Sequence, residues 1–223
     1  MPPSQQPENT PRGAEPQPPT ARVSAKEAII ATAERLWGAQ GINGASLREI
    51  TIAAGSANNS SIGYHFGDKH GLIDAIFRAR LPALEQRRQI LIDAAKAEGK
   101  FDDPQTLLRM IFKPVFDEVD QHGRHSFAAF LRAVNRFPQW DYKAGTEELA
   151  PTAFLILNIL REKASSLPQS LFDIRYRLIN EICCGAITVQ EEYQPDTGAD
   201  PILATKIFED ALSASAHLLL RDG

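Results

Sequence analysis

The spacing of apolar residues along the chain predicts helices almost throughout. Ile29, Ala33 and Trp37 recur at intervals of four residues, as they do on the buried face of an amphipathic helix. This helix is expected to start at Ser24, where SAKE (residues 24–27) has the pattern of a capping box, and to end at Gly41. No stretch of any length alternates apolar and polar residues as a strand does. The sequence therefore predicts an all-α fold of about nine helices.

Helix-start signals divide the rest of the chain. SLRE (residues 46–49) is a second capping-box pattern and is expected to open a short helix. Asn58 and Asp68 are expected to cap a third and a fourth helix, and the fourth continues to about Ala97 with a kink or break at Pro82. Five later helix starts are predicted at Pro104, about Arg124, about Glu147, Pro168 and Pro201.

Composition separates three segments. Residues 1–20 hold seven of the fifteen prolines and almost no large apolar residue. Such a segment cannot bury enough surface to offset its chain entropy, so residues 1–20 are predicted to be a disordered tail. The helix starts then indicate a small helical domain over residues 21–80 and a larger one over residues 81–223.

A polar turn lies between two helices of the small domain. AAGSANNSSIGYHFGDKHGL (residues 53–72) concentrates glycine, asparagine and serine between amphipathic segments. Two short helices joined by such a turn, with a longer helix on each side, are the parts of a helix-turn-helix. Its second helix must expose polar side chains to base edges while a few apolar residues hold it in place. Ile62 and Phe66 are the expected anchors.

Candidate DNA contacts follow from this arrangement. Ser46 lies at a helix N-terminus, where free amides favour a phosphate, and Lys69 is placed to reach another phosphate. Asn58 is expected mainly to cap the helix, whereas Asn59, one residue inside, is placed to read a base. The predicted DNA-binding residues are Ser46, Arg48, Asn58, Asn59, Ser60, Ser61, Tyr64, His65 and Lys69.

Two other interpretations of these residues stay open at this point. Tyr64 and His65 can face DNA or complete the small core. His65, Asp68 and His70 can also be viewed as a metal cluster, but they straddle a helix break and have no evident fourth ligand. No metal site is therefore predicted.

The charge distribution is uneven. Residues 20–80 carry seven lysines and arginines against five aspartates and glutamates, although the whole chain has a net charge of −4. A mildly basic first domain on an acidic remainder is the charge asymmetry that a nucleic-acid-binding domain produces.

Residues 24–80 resemble the N-terminal domain of TetR-family transcriptional regulators. The resemblance rests on Trp37 four residues before Gly41, a serine at the start of the second helix, Ile-Ala-Ala-Gly (residues 52–55) at the turn, and Tyr-His-Phe (residues 64–66) before Lys69. The turn is one residue longer than the commonest family pattern, and Gly63 stands where many members carry an aromatic residue. The resemblance implies a dimeric repressor whose larger C-terminal domain binds a small molecule that lowers its affinity for the operator.

The larger domain is rich in aromatic and apolar residues with a few polar residues among them. Such residues could line a ligand cavity between helices, although apolar residues at helical spacing often form only core. The predicted ligand-binding residues are Phe112, Phe116, Phe127, Phe130, Arg132, Asn135, Trp140 and Asn158. The effector is expected to be small and apolar or aromatic.

The last two predicted helices are each apolar over a wide face and contain small residues. Because one subunit cannot bury both faces of both helices, they are expected to pair with a second copy in a four-helix bundle. The predicted homodimer interface comprises Leu178, Ile182, Gly185, Ala186, Phe208, Leu212 and Ser215.

The sequence contains no motif of catalysis or cofactor binding that we recognise. It has no glycine-rich phosphate loop, metal-spaced Cys/His set or nucleophile elbow, so we expect no enzyme and no cofactor. The absence of a signal or membrane-spanning segment and the presence of only two adjacent cysteines favour the cytoplasm. The partners expected are operator DNA, a small-molecule effector and a second copy. Alternatives are a helical binding protein or enzyme with a non-functional helix-turn-helix, and an activator without inducer.

Overall fold

Nine α-helices make up the part of the chain that the structure describes. The computed structural model describes residues 24–56, 61–140, 146–193 and 200–221, without the side chains of Ser61 and Ile62. The helices are α1 (Ala25–Gln40), α2 (Leu47–Ala53), α3 (Ser61–Phe66), α4 (Lys69–Ala97), α5 (Pro104–Phe116), α6 (Ser126–Asn135), α7 (Pro151–Lys163), α8 (Gln169–Tyr193) and α9 (Pro201–Leu220). No strand occurs among these residues, and the predicted all-α fold is confirmed. The predicted tail, residues 1–20, lies outside the described residues.

Local caps start most of these helices where the sequence predicts. Ser24 and Ser46 each form a complete capping box with the glutamate three residues later. Asp68 caps α4, and aspartates immediately before the N1 prolines cap α5 and α9. These side chains bind amide groups that have no partner within the first turn, so the start of a helix can be recognised locally.

Two predicted helix features differ from the structure. α7 starts at Pro151 rather than at about Glu147, because a residue that precedes proline is disfavoured in helical geometry and Ala150 has φ −134° and ψ 50°. α4 continues through Pro82, so the break that is one of the two alternatives predicted there does not occur, and residue 80 lies inside this helix.

The two domains share one aromatic core. Trp37 of α1 stacks on Phe130 of α6 at 6.5 Å between ring centroids, and Phe77 of α4 lies 5.5 Å from Phe130. A Cβ atom at Gly38 would lie 3.0 Å from Ala129 Cβ, which shows that helices α1 and α6 approach each other closely at this glycine. The first domain, which carries the candidate DNA-binding residues, therefore packs directly on the larger domain.

The last two helices pack against each other within the subunit. Phe208, Leu212 and Ser215 of α9 are fully buried, and Ser215 Oγ lies 3.5 Å from Cys183 Sγ of α8. Burial raises the pKa of the Cys183 thiol to about 11, which keeps it protonated near neutral pH. Across the described residues, the helices are all too short or too polar to cross a membrane.

Candidate functional site

The described parts of α2 and α3 are anchored in the core as the two helices of a helix-turn-helix would be. Ile50 anchors α2 in the core, and Phe66, with 9% of its surface exposed, anchors the end of α3. The turn before α2 is held by a hydrogen bond from Trp37 Nε1 to the carbonyl oxygen of Ala45, 3.0 Å long. Gly67, with φ 74°, ends α3 in a left-handed conformation and lets α4 begin directly afterwards.

The outer face of α3 presents Tyr64 and His65. Tyr64 is 86% exposed and His65 is also exposed, so neither side chain completes the core. The Tyr64 ring meets the His65 ring edge to face, with the centroids 5.0 Å apart. This exposed pair leaves an aromatic and a polar group available to a partner surface.

Cationic and capping groups surround these helices. Arg48 is exposed and makes no ion pair with any described residue. Lys69 Nζ donates a hydrogen bond of 3.0 Å to Asn43 Oδ1 in the loop between α1 and α2. The hydrogen bond from the Gly71 amide lowers the pKa of the capping Asp68 carboxyl, which therefore stays ionised. Ser46 Oγ takes part in the capping box with Glu49.

Part of the predicted DNA-binding set falls outside what can be described. Asn58, Asn59 and Ser60 lie outside the described residues, and the side chain of Ser61 is not described. Over the described ranges, no three His, Cys, Asp or Glu residues are close enough to hold a metal ion.

Gly63 allows a stability test of the outer face of α3. A Cβ atom at Gly63 would meet nothing within 4 Å, so Gly63→Ala should raise the free energy of unfolding by about 0.5–1 kcal/mol. If DNA backbone lies against this glycine, the same variant should bind duplex DNA more weakly. Urea unfolding and a duplex titration measure the two effects, and a loss of stability would show that the added methyl group is not in open space.

A cavity of about 640 Å³ lies in the larger domain between α6, α7 and α8. Its apolar walls are formed by Leu131, Val134, Trp140, Phe154, Leu157 and Phe172. Its polar lining consists of Asn135, Glu147, Asn158, Arg161, Gln169, Asp173, Tyr176, Arg177 and Asn180. Aromatic walls with a polar rim, in a volume of this size, suit a small amphipathic molecule.

Most polar groups of this rim already have partners. Asn135 Nδ2 donates to Glu181 Oε1 at 2.8 Å, and Arg161 donates to Gln169 Oε1 at 2.8 Å while lying over the Phe172 ring. Asn158 is exposed and bonds no other described residue. Trp140 Nε1 is buried and has no acceptor among the described residues. The Asn158 amide is therefore available to a ligand, whereas the Trp140 N–H is enclosed by protein.

The structure brings three predicted ligand-binding residues to this cavity and places the other five elsewhere. Asn135, Trp140 and Asn158 line it. Arg132 lies on the opposite side of α6, where it lines a second cavity beside the α1–α2 loop and pairs with Glu192. The four phenylalanines are core residues or lie against the core: Phe112, Phe116, Phe127 and Phe130.

The cavity wall on α8 is not among the residues that the sequence predicts. Phe172 and Tyr176 are one helical turn apart, with parallel rings 6.5 Å between centroids, and both line the cavity. The sequence signal is the aromatic pair at i and i+4, followed by Arg177 and Asn180. Apolar periodicity assigns this helix to the dimer interface instead, because its other face is also apolar.

Four predicted interface residues lie on that other face of α8. Leu178 is 48% exposed and Ile182 is 37% exposed, and Gly185 and Ala186 are half-buried. The remaining three, on α9, are covered by the chain itself as described above. The exposed part of the predicted interface is therefore on α8.

Comparison with known proteins identifies the first domain. Residues 29–76 match the family model described as bacterial regulatory proteins, tetR family. No curated protein matches the chain significantly. The matched segment runs from α1 into α4 and includes the whole helix-turn-helix.

Proposed function

We propose that this DNA-binding transcriptional regulator, whose residues 29–76 form a TetR-family domain, is a homodimeric repressor that leaves its operator when a small aromatic effector binds. The observation that carries the ligand-dependent part of the proposal is the cavity between α6, α7 and α8. It is large enough for a small ligand, and it lies outside the DNA-binding helices. A regulator rather than an enzyme is proposed, because the groups around the cavity suggest binding and not a catalytic set.

The lining favours an effector that combines an aromatic ring with a hydrogen-bonding group. Trp140, Phe154 and Phe172 provide ring surfaces against which a planar molecule can stack. The Asn158 amide offers a polar contact that no described protein group occupies.

An exposed apolar row on α8 supports a dimer. Ile174, Leu178 and Ile182 follow one another at intervals of four residues and are 56%, 48% and 37% exposed. Gly185 and Ala186 continue the row with small side chains that permit close helix approach. Pairing of two such rows about a two-fold axis would cover them and would present two recognition helices to a palindromic site.

The proposed dimer would repress transcription by occupying its operator. A two-fold dimer holds its two α3 helices at one separation, and tight binding requires that separation to match two half-sites in the major groove. An effector that changes the separation lowers operator affinity although it touches none of the side chains that contact DNA. The proposal therefore needs both a DNA-binding dimer and a ligand that weakens it.

The DNA-binding part is tested with two variants that separate base reading from phosphate binding. The probe is a panel of duplexes obtained by selecting bound molecules from a random-sequence pool. Asn59→Ala should change preference at one or two base pairs per half-site by about 1–3 kcal/mol each. Lys69→Ala should weaken binding to all duplexes alike and flatten the slope of log affinity against log salt by roughly one for each phosphate that Lys69 neutralises.

Lys100→Ala serves as the matched control for charge. The Lys100 side chain is 64% exposed and follows the far end of α4, so its removal should leave duplex affinity unchanged. If Asn59→Ala and Lys69→Ala bind every duplex as tightly as the parent, α3 does not read DNA. If DNA binding responds to no ligand in a screen of small aromatic compounds, an activator without inducer becomes the better description.

A further inference from the structure

The side chain of Trp140 both lines the cavity and packs against α4. The Trp140 indole lines the cavity. The same indole stacks on the His70 ring at 6.0 Å and on the Phe77 ring at 6.0 Å, with interplanar angles of 20° and 19°. A ligand that contacts the indole in the cavity therefore contacts a group that α4 packs against.

The segment that carries Trp140 adds further contacts to the first turn of α4. His70 also lies 5.9 Å from the Phe137 ring, and its Nε2 is 3.3 Å from the carbonyl oxygen of Gln139. Lys69 Nζ lies 5.9 Å from the centre of the Phe137 ring. Residues 137–140 therefore contact both Lys69 and His70, the first two residues of α4.

The start of α4 is in turn connected to the DNA-binding helices. Only Gly67 and Asp68 separate α4 from α3, and the Asp68 amide donates to the carbonyl oxygen of Phe66 at 2.9 Å. Lys69 also binds Asn43, in the loop that leads into α2. The start of α4 is therefore connected to the end of α3 through residues 67–68 and to the loop before α2 through Lys69.

We propose that Trp140 is the positioning residue that couples the cavity to the DNA-binding helices. A ligand whose ring packs against the part of the indole that lines the cavity changes the indole position against His70 and Phe77. The start of α4 follows, and the orientation of α3 changes with it. This inference rests on the proposed function, since it names the residue through which the effector acts.

The first experiment measures coupling with a defined probe. 8-Anilinonaphthalene-1-sulfonate has an aromatic ring system and an anionic acceptor group, and its fluorescence reports its own binding. Duplex affinity is measured with and without saturating dye, and dye affinity with and without duplex, because the two ratios must agree if the sites are linked. In the parent protein we expect a ratio of about 5-fold or more.

Three variants then locate the coupling. Trp140→Leu should still bind duplex and dye separately but bring the ratio to about one. Trp140→Phe keeps a ring against His70 and should bind dye more weakly while retaining part of the ratio. Phe172→Leu, on the α8 wall of the cavity, should weaken dye binding and leave the ratio at the parent value. A parent-like ratio in Trp140→Leu would overturn the inference.

A second measurement is independent of any ligand. The chain has two tryptophans, so the emission of Trp140 is obtained as the difference between the parent protein and Trp140→Phe, which keeps Trp37 in place. Addition of a selected duplex should shift the emission of Trp140, since DNA binding sets the position of the start of α4. Unchanged emission under saturating duplex would overturn the inference. Absence of any dye effect on duplex affinity in the parent would instead contradict the ligand response of the proposed function, so the two failures are distinguishable.

Discussion

Replacing Glu34 with alanine should lower the free energy of unfolding by about 3 kcal/mol. The Glu34 side chain is 1% exposed, and its carboxylate accepts hydrogen bonds from Arg80 Nε at 2.6 Å and from Arg80 Nη2 at 2.9 Å. Ser126 Oγ donates to the same carboxylate at 2.5 Å. The substitution leaves a largely buried guanidinium and a hydroxyl without their acceptor, and it opens a gap where α1, α4 and α6 meet.

The protonation state of Arg80 makes this loss unavoidable. Burial disfavours the charged guanidinium, but the hydrogen bonds and negative charge of Glu34, together with Glu118 and Asp120, outweigh burial and raise the pKa of Arg80. Because a guanidinium is charged at any pH at which proteins are folded, Arg80 cannot become neutral when Glu34 is absent. Its remaining bond to Glu118 Oε1, 3.1 Å long, keeps the expected loss at the lower end of the range for buried pairs.

Arg87→Ala is the matched control for this network. Arg87 Nη1 donates to Glu118 Oε2 at 2.6 Å, but its side chain is 44% exposed. Water screens such a pair, and its removal should change stability by about 0–1 kcal/mol. Urea unfolding followed by tryptophan fluorescence measures both variants. Equal losses for Glu34→Ala and Arg87→Ala would show that burial does not set the strength of the network.

Introducing glutamate at Leu178 should convert the proposed dimer to monomers and weaken operator binding by about 100-fold. Burying an unpaired carboxylate at the centre of an apolar helix pair costs about 3 kcal/mol or more, and the two-fold axis applies that cost twice. A monomer presents one recognition helix and cannot engage the second half-site at the same time. Light scattering measures the mass, and titration with a selected duplex measures the affinity.

Leu155→Glu is the control, since Leu155 on α7 is also 48% exposed. It introduces the same charge at the same exposure, outside the α8 row, and should leave mass and DNA affinity unchanged. Leu212 is unsuitable for this test because it is fully buried within the subunit, where a glutamate would unfold the chain. A dimeric Leu178→Glu protein would place the interface away from α8.

The helices and the helix-turn-helix could be predicted from the sequence because local interactions define them. The capping boxes at Ser24 and Ser46 involve residues three apart, and they form in the structure as predicted. Asp68 and the aspartates that precede Pro104 and Pro201 also cap their helices through contacts between residues close in sequence. The family match over residues 29–76 depends on the same local spacing. The delayed start of α7 is the exception, because Pro151 constrains the residues before it.

Tertiary structure alone decided which apolar faces became core, cavity wall or exposed surface. α6 directs Asn135 to the cavity and Arg132 to the second cavity, while Phe127 and Phe130 enter the core. On α8 the cavity residues and the exposed row occupy different faces of one helix. Apolar periodicity indicates which face of a helix is buried, but it does not indicate which other element covers that face. The link from Trp140 to His70 joins residues 70 positions apart, so only the packing of α4 against the segment that follows α6 could reveal it.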